Sequence, residues 1–136
     1  MHLHLIRYHQ SPALTQSRLH IDGVPFCEAR EPGTLTFGRH RLAPLPAGEY
    51  RCRCVATEFS PMTLQVCRTA GHRRLLFGFH PMKQWQANVV NLGLSDPTLP
   101  PEQRTLVHTS DTFDRFTQRV YAAYARGESF TLTVSG

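Results

Sequence analysis

The feature that most constrains this chain is a two-residue break, Asp22-Gly23, between the apolar-rich runs Leu14 to Ile21 and Val24 to Ala29. Asp-Gly in that setting closes a β-hairpin, because both central positions of the tight turn require positive φ and these residues tolerate it. Comparable breaks recur further along. Pro46-Ala47-Gly48 leads into an alternating run from Glu49 to Ala56, Ser60-Pro61 into Met62 to Arg68, and residues 69–73 into Arg74 to His80. Leu3 to Tyr8 supplies an earlier strand, and Glu128 to Val134 alternates cleanly at the end. Short alternating runs with turns at this spacing predict a small barrel or sandwich. Pro25, just after the hairpin turn, predicts an edge strand or a bulge.

The pattern weakens over residues 81–107, and "SDPTLPPEQ" (95–103), with three prolines in nine residues, is expected to form an exposed loop. Residues 30–45, rich in Gly, Pro and Arg, are expected to form another. One helix follows. Thr109 or Ser110 is the expected cap, Asp111 and Asp114 suit its positive end, and Gly127 closes it after Arg126. Phe113, Phe116, Val120, Ala123 and Tyr124 recur at helical spacing and predict one buried stripe. The expected architecture is a single α+β domain over residues 1–136. It is a β-rich antiparallel meander or small barrel-like sheet, with one long helix near the C-terminus and a closing strand after it.

Length and charge narrow the classes. At 136 residues the chain fills one core. No apolar stretch is long enough to span a bilayer, and MHLHLIRYHQ lacks the basic flank and apolar segment of a secretory signal. The expectation is a protein cytoplasmic as synthesised, with no membrane partner, reaching any outside site in a phage particle or by a specialised secretion route. The net charge of +5 is modest and comes almost wholly from scattered arginines, since Lys83 is the only lysine. Without an aromatic-studded basic motif, nucleic acid is not the expected partner.

The four cysteines, Cys27, Cys52, Cys54 and Cys67, show no C-x-x-C spacing. Cys52 and Cys54 share a strand face with Tyr50 and Ala56, so they read as buried free thiols that act as small hydrophobes. His2 and His4 share a strand face, and His9, His20, His72, His80 and His108 are dispersed. No helix carries H-x-x-x-H or H-E-x-x-H, so no metal or cofactor is expected.

Taken in order, "LTQSRLHIDGVPFCEA", "PLPAGEYRCRCV", "SP", "FGFHP", the Thr-Ser-Asp-Thr-Phe helix start and "GESFTLTV" resemble a family of small phage and bacterial proteins classed as a domain of unknown function. Its members show a T-x-G-x-L-x-I-D-G hairpin with a Phe and a Cys beyond it, then P-A-G-x-Y, then I-H-x-G-N and a G-C-I segment. Thr15, Leu19, Ile21, Asp22, Gly23, Phe26 and Cys27 match the hairpin. Pro46, Ala47, Gly48 and Tyr50 match the strand start, and His80-Pro81 the later turn. The chain departs at Ser17, at Met82-Lys83 and at Ala87-Asn88, where the family has Gly, Gly-Asn and Gly-Cys; Leu92-Gly93 survives.

In typical members the His and Cys are similar to the pair of cysteine peptidases and of peptidoglycan L,D-transpeptidases, where an imidazole activates a thiolate. Here the equivalent cysteine is missing. The resemblance therefore implies a non-catalytic binding or structural module, phage- or secretion-associated, with a protein or a cell-wall glycan or peptide as partner. Trp85, flanked by Gln84 and Gln86, is its expected contact residue, with Lys83, Asn88 and Asn91 nearby. Trp85 would serve equally as a loop anchor over the sheet. The alternative is a peptidoglycan-acting amidase or L,D-transpeptidase-like enzyme. It would use His80 as base and Cys27 as sulfur, with Cys54 or Cys67 as substitutes.

Overall fold

The computed structural model describes residues 1–33, 44–58, 60–67, 75–78 and 89–136. Its strands are β1 (His2–Gln10), β2 (Leu14–Ile21), β3 (Val24–Pro32), β4 (Gly48–Val55), β5 (Thr63–Cys67), β6 (Leu75–Gly78), β7 (Val89–Gly93) and β8 (Phe130–Ser135). A helix, α1 (Thr109–Ala125), precedes β8. The expected α+β class is what forms: a strand-rich, mainly antiparallel sheet closed into a barrel in the order β1-β2-β3-β7-β6-β5-β4-β8. The hairpin turn is as the sequence predicts, with Asp22 at φ 49° and Gly23 at φ 81°. The bulge expected at Pro25 is present. His20 pairs with Pro25 and Leu19 with Cys27, so Phe26 is the extra residue on β3.

Two joints in the ring are parallel, β1 with β8 and β6 with β7, which a pure meander does not contain. Strand β7 falls inside the stretch where the alternating pattern weakens, and it bridges β3 to β6. Its last residue has little room. A Cβ on Gly93 would lie 2.6 Å from Leu106 Cγ and 2.9 Å from the Val107 carbonyl oxygen.

Alternation carries Leu3, Leu5, Leu19, Leu64, Leu92 and Leu132 into a common core. Phe113, Phe116, Val120 and Ala123 of α1 join the same core. The Phe116 ring stacks on Phe77 of β6 at 5.1 Å and 23°. Because Phe77 and Val90 are register partners within the barrel lining, that contact seats α1 against the end of the barrel where β7 finishes and β8 begins.

The helix start differs from expectation. The capping residue is His108, left-handed at φ 51° and without a side-chain cap bond, rather than Thr109 or Ser110. Leu94 and Val107 exchange two 2.8 Å backbone hydrogen bonds, so the chain stays extended up to Val107. The whole change of direction then falls on His108. Gly127 does close the helix, at φ 74°, and its N–H donates to the Tyr124 carbonyl at 3.0 Å.

The opposite end of the barrel is polar. Arg7 continues the inward parity of Leu3 and Leu5, and Glu31 that of Ala29. They form an ion pair at 3.0 Å with side chains 5% and 1% exposed. The Leu45 N–H donates to Glu31 at 2.9 Å, and Arg7 donates to the Leu45 carbonyl. The Tyr50 hydroxyl holds the next residue by donating to the Pro46 carbonyl at 2.6 Å.

Candidate functional site

Of the residues that the sequence nominates, His80, Lys83, Gln84, Trp85, Gln86 and Asn88 lie outside the described residues. Asn91 is on the outer side of β7, opposite Arg30 and Gly78, with its amide oxygen buried and unpartnered. Cys27 lies on β3 opposite Leu19, packed against the core. Burial pushes its thiol up to about 12, and a bond with the Gly93 backbone offsets only part of that. A thiolate nucleophile requires the reverse displacement.

The other described thiols follow their surroundings. Cys52 is buried and is also raised to about 12, mainly by desolvation. Cys54 is half-buried and raised by the same cause, while Cys67 is exposed. All four are free, as the strand pattern implied for Cys52 and Cys54.

Two outcomes follow for the thiols. In native protein treated with a disulfide reagent, Cys67 should react within seconds, whereas Cys27 and Cys52 should stay unmodified until the chain unfolds. Between the ordinary thiol value of 9.0 and about 12, the unfolded chain releases these protons and the folded chain keeps them. Stability should therefore be insensitive to these groups below pH 9 and fall progressively above it, as alkaline denaturation curves would show.

A different arrangement is built where α1 meets the ring. Strands β4 and β8 pair with Arg51 opposite Thr131 and Cys52 opposite Phe130. The last turn of α1 and the Glu128-Ser129 connection stand beside this pair. Together they enclose an open groove of about 560 Å³, lined by Arg51, Cys52, Cys54, Tyr124, Glu128, Ser129, Phe130 and Thr131. Phe130 and Cys52 give it an apolar floor, 6% and 9% exposed. Tyr124 stands over it, 57% exposed.

The groove has fixed charges of both signs. Glu128 is held by the Met1 amino group at 3.0 Å and by Arg126 at 2.6 Å, and these partners keep its carboxyl below the usual carboxylate range. Arg51 is exposed on the opposite wall. An aromatic face, hydroxyls on Ser129 and Thr131 and an exposed cation on Arg51 are what a sugar ring or a short polar peptide needs for stacking and orientation.

Sequence reasoning placed Tyr124 in the buried stripe, and the structure moves it out. Tyr124 lies at the margin of that stripe in the final turn, where Ala123 already faces the core. Tyr121, one turn earlier, is likewise exposed at 63%, and helical spacing alone does not separate Tyr124 from the stripe. Comparison of the chain with family models, with curated proteins and with solved structures gives no match.

Proposed function

We propose that this protein is a non-catalytic binding module that engages a cell-wall glycan or peptide, deployed with a phage particle or a secretion system. The observation that carries this reading is the groove between β4, β8 and the end of α1, with Tyr124 as its exposed aromatic wall. Its volume of about 560 Å³ suits one or two sugar rings or a few amino acids. Arg51 suits a ligand bearing a carboxylate, as wall peptides do, while Glu128 is already engaged by the Met1 amino group and Arg126. The cell-wall direction itself rests on the family resemblance of the hairpin and of the Pro46-Ala47-Gly48 segment.

The test is co-sedimentation with purified peptidoglycan, followed by calorimetry with soluble muropeptides. Tyr124→Ala and Arg51→Ala should each weaken binding about tenfold or more. Both are exposed, so unfolding free energies should stay within about 0.5 kcal/mol of the parent. Unchanged binding in both variants would move the contact away from the groove. New soluble fragments released from the sacculi would show catalysis and overturn the non-catalytic reading.

A further inference from the structure

The outer wall of the barrel formed by β4, β8, β1 and β2 carries an arrangement that shares only Arg51 and Thr131 with the groove. Register aligns outward side chains into rows across these strands. One row runs Glu49, Thr133, His4, His20, and the row beside it starts Arg51, Thr131, His2. The His2 and His4 rings are 6.3 Å apart. Each meets a hydroxyl of β8: His2 Nε2 lies 2.8 Å from Thr133 Oγ1, and His4 Nε2 lies 2.7 Å from Ser135 Oγ.

We propose that this wall is a pH-gated binding surface for a polyanion whose charges are phosphates, one that presents no bases for stacking. The imidazoles of His2, His4 and His20 and the hydroxyls of Thr133 and Ser135 are its central contacts.

Charge complementarity and proton bookkeeping support this choice. Around the three imidazoles stand Arg51 and Glu49 from β4, Arg18 and Asp22 from β2 and its turn, and, next to His2, the Met1 amino group, which is paired with Glu128. Asp22 already accepts the His2 backbone N–H at 2.8 Å. Strand β8 presents only hydroxyls here. From β3, Pro25 faces His20, and Glu28 faces Arg18 but is already taken by the Tyr8 hydroxyl at 2.6 Å. His9 lies further along β1, beyond the irregularity, opposite Gln16. Two arginines and two carboxylates thus offset one another around imidazoles that are neutral above their titration range.

Acidification adds up to three positive charges with no new carboxylate beside them. It also fixes the direction of two hydrogen bonds. A neutral ring can accept the hydroxyl proton at Nε2; a protonated ring can only donate there. The hydroxyls of Thr133 and Ser135 then accept from the rings and turn their own protons outward, towards an anion.

The shape selects a chain rather than a single ion. Four strands at about 4.8 Å spacing spread these groups over roughly 14 Å of convex wall, so one small anion would meet only part of them. Neither row carries Phe, Tyr or Trp, the broad rings on which successive bases stack best, which disfavours a base-bearing polyanion. Burial, and then the nearby His2 and His20, lower the pKa of His4 from 6.5. Full charging therefore requires a pH clearly below that of an ordinary histidine.

Long-chain inorganic polyphosphate is the probe. Binding should be about tenfold tighter or more at pH 5 than at pH 7.5, and should weaken steeply with salt. A His2→Gln, His4→Gln, His20→Gln triple variant should lose the pH dependence while keeping peptidoglycan binding, so failure here is separable from failure of the groove reading. If that variant does not fold, histidine titration by NMR on the parent decides: polyphosphate should raise the pKa of all three rings. The proposal is overturned by pH-independent binding, by a gain at low pH that persists in the triple variant, by unmoved histidine titrations, or by tighter binding of single-stranded DNA of equal charge.

Discussion

Glu31→Gln should destabilise the protein by about 3–5 kcal/mol, a large part of the roughly 5–15 kcal/mol that holds a domain of this size together. The reason is burial rather than the pair's own strength. Glu31 accepts from Arg7 Nε at 3.2 Å and from Arg7 Nη2 at 3.1 and 3.0 Å, and it also accepts the Leu45 N–H. Neutralising the acid leaves a guanidinium 5% exposed without its counter-charge. Urea denaturation measures the loss. The double variant Arg7→Met, Glu31→Leu removes both charges and should recover most of it, because desolvation of an ion pair roughly cancels its attraction. A Glu31→Gln loss below about 1 kcal/mol would mean that water reaches the pair.

Phe116→Ala should have a similar effect, about 3–5 kcal/mol, from lost transfer energy plus the cavity left behind. Phe116 is 0% exposed and meets Phe77 at 5.1 Å, Phe26 at 6.4 Å and Phe113 at 6.4 Å. It is the point where α1 fastens to the barrel, so its loss removes contacts to two elements at once. Phe116→Leu keeps most of the volume and should cost about 1.5 kcal/mol or less. Tyr121→Ala, on the exposed side of the same helix, is the control and should stay within about 0.5 kcal/mol. Equal effects at positions 116 and 121 would contradict the seating of the helix described above.

These sites differ in how openly the sequence displayed them. The hairpin at Asp22-Gly23, the alternating β4 and the helix were legible because local chemistry decides each: turn dihedrals, period-two alternation and period-3.6 spacing. Strand β7 was not. Val89–Gly93 is five residues with an asparagine at its centre, and its partners β3 and β6 are fixed by the whole ring rather than by neighbours in sequence. The two parallel joints were hidden for the same reason.

The buried ion pair was half visible. Leu3, Leu5 and Arg7 share one parity, as do Ala29 and Glu31, and a charge on an otherwise apolar face asks for a partner on another strand. What the sequence could not supply was which strand lies opposite. The groove was hidden more fully, since it joins β4, β8 and the end of α1, three elements far apart along the chain. The nominated stretch around Trp85 stood out because it is rich in residue types suited to contact, a compositional signal rather than a geometric one.

The parallel pairing of β1 with β8 carries a consequence for biogenesis. His2 through Ile6 wait for Thr131 through Ser135, and β4 waits for the same segment on its other edge. While the ribosome is still adding those residues, both edges remain open and able to capture a neighbouring nascent chain. Completion of the ring therefore waits until residues 131–135 have been made and can reach both edges. Such long-range closure is slow, which makes the unclosed chain a natural client for chaperones.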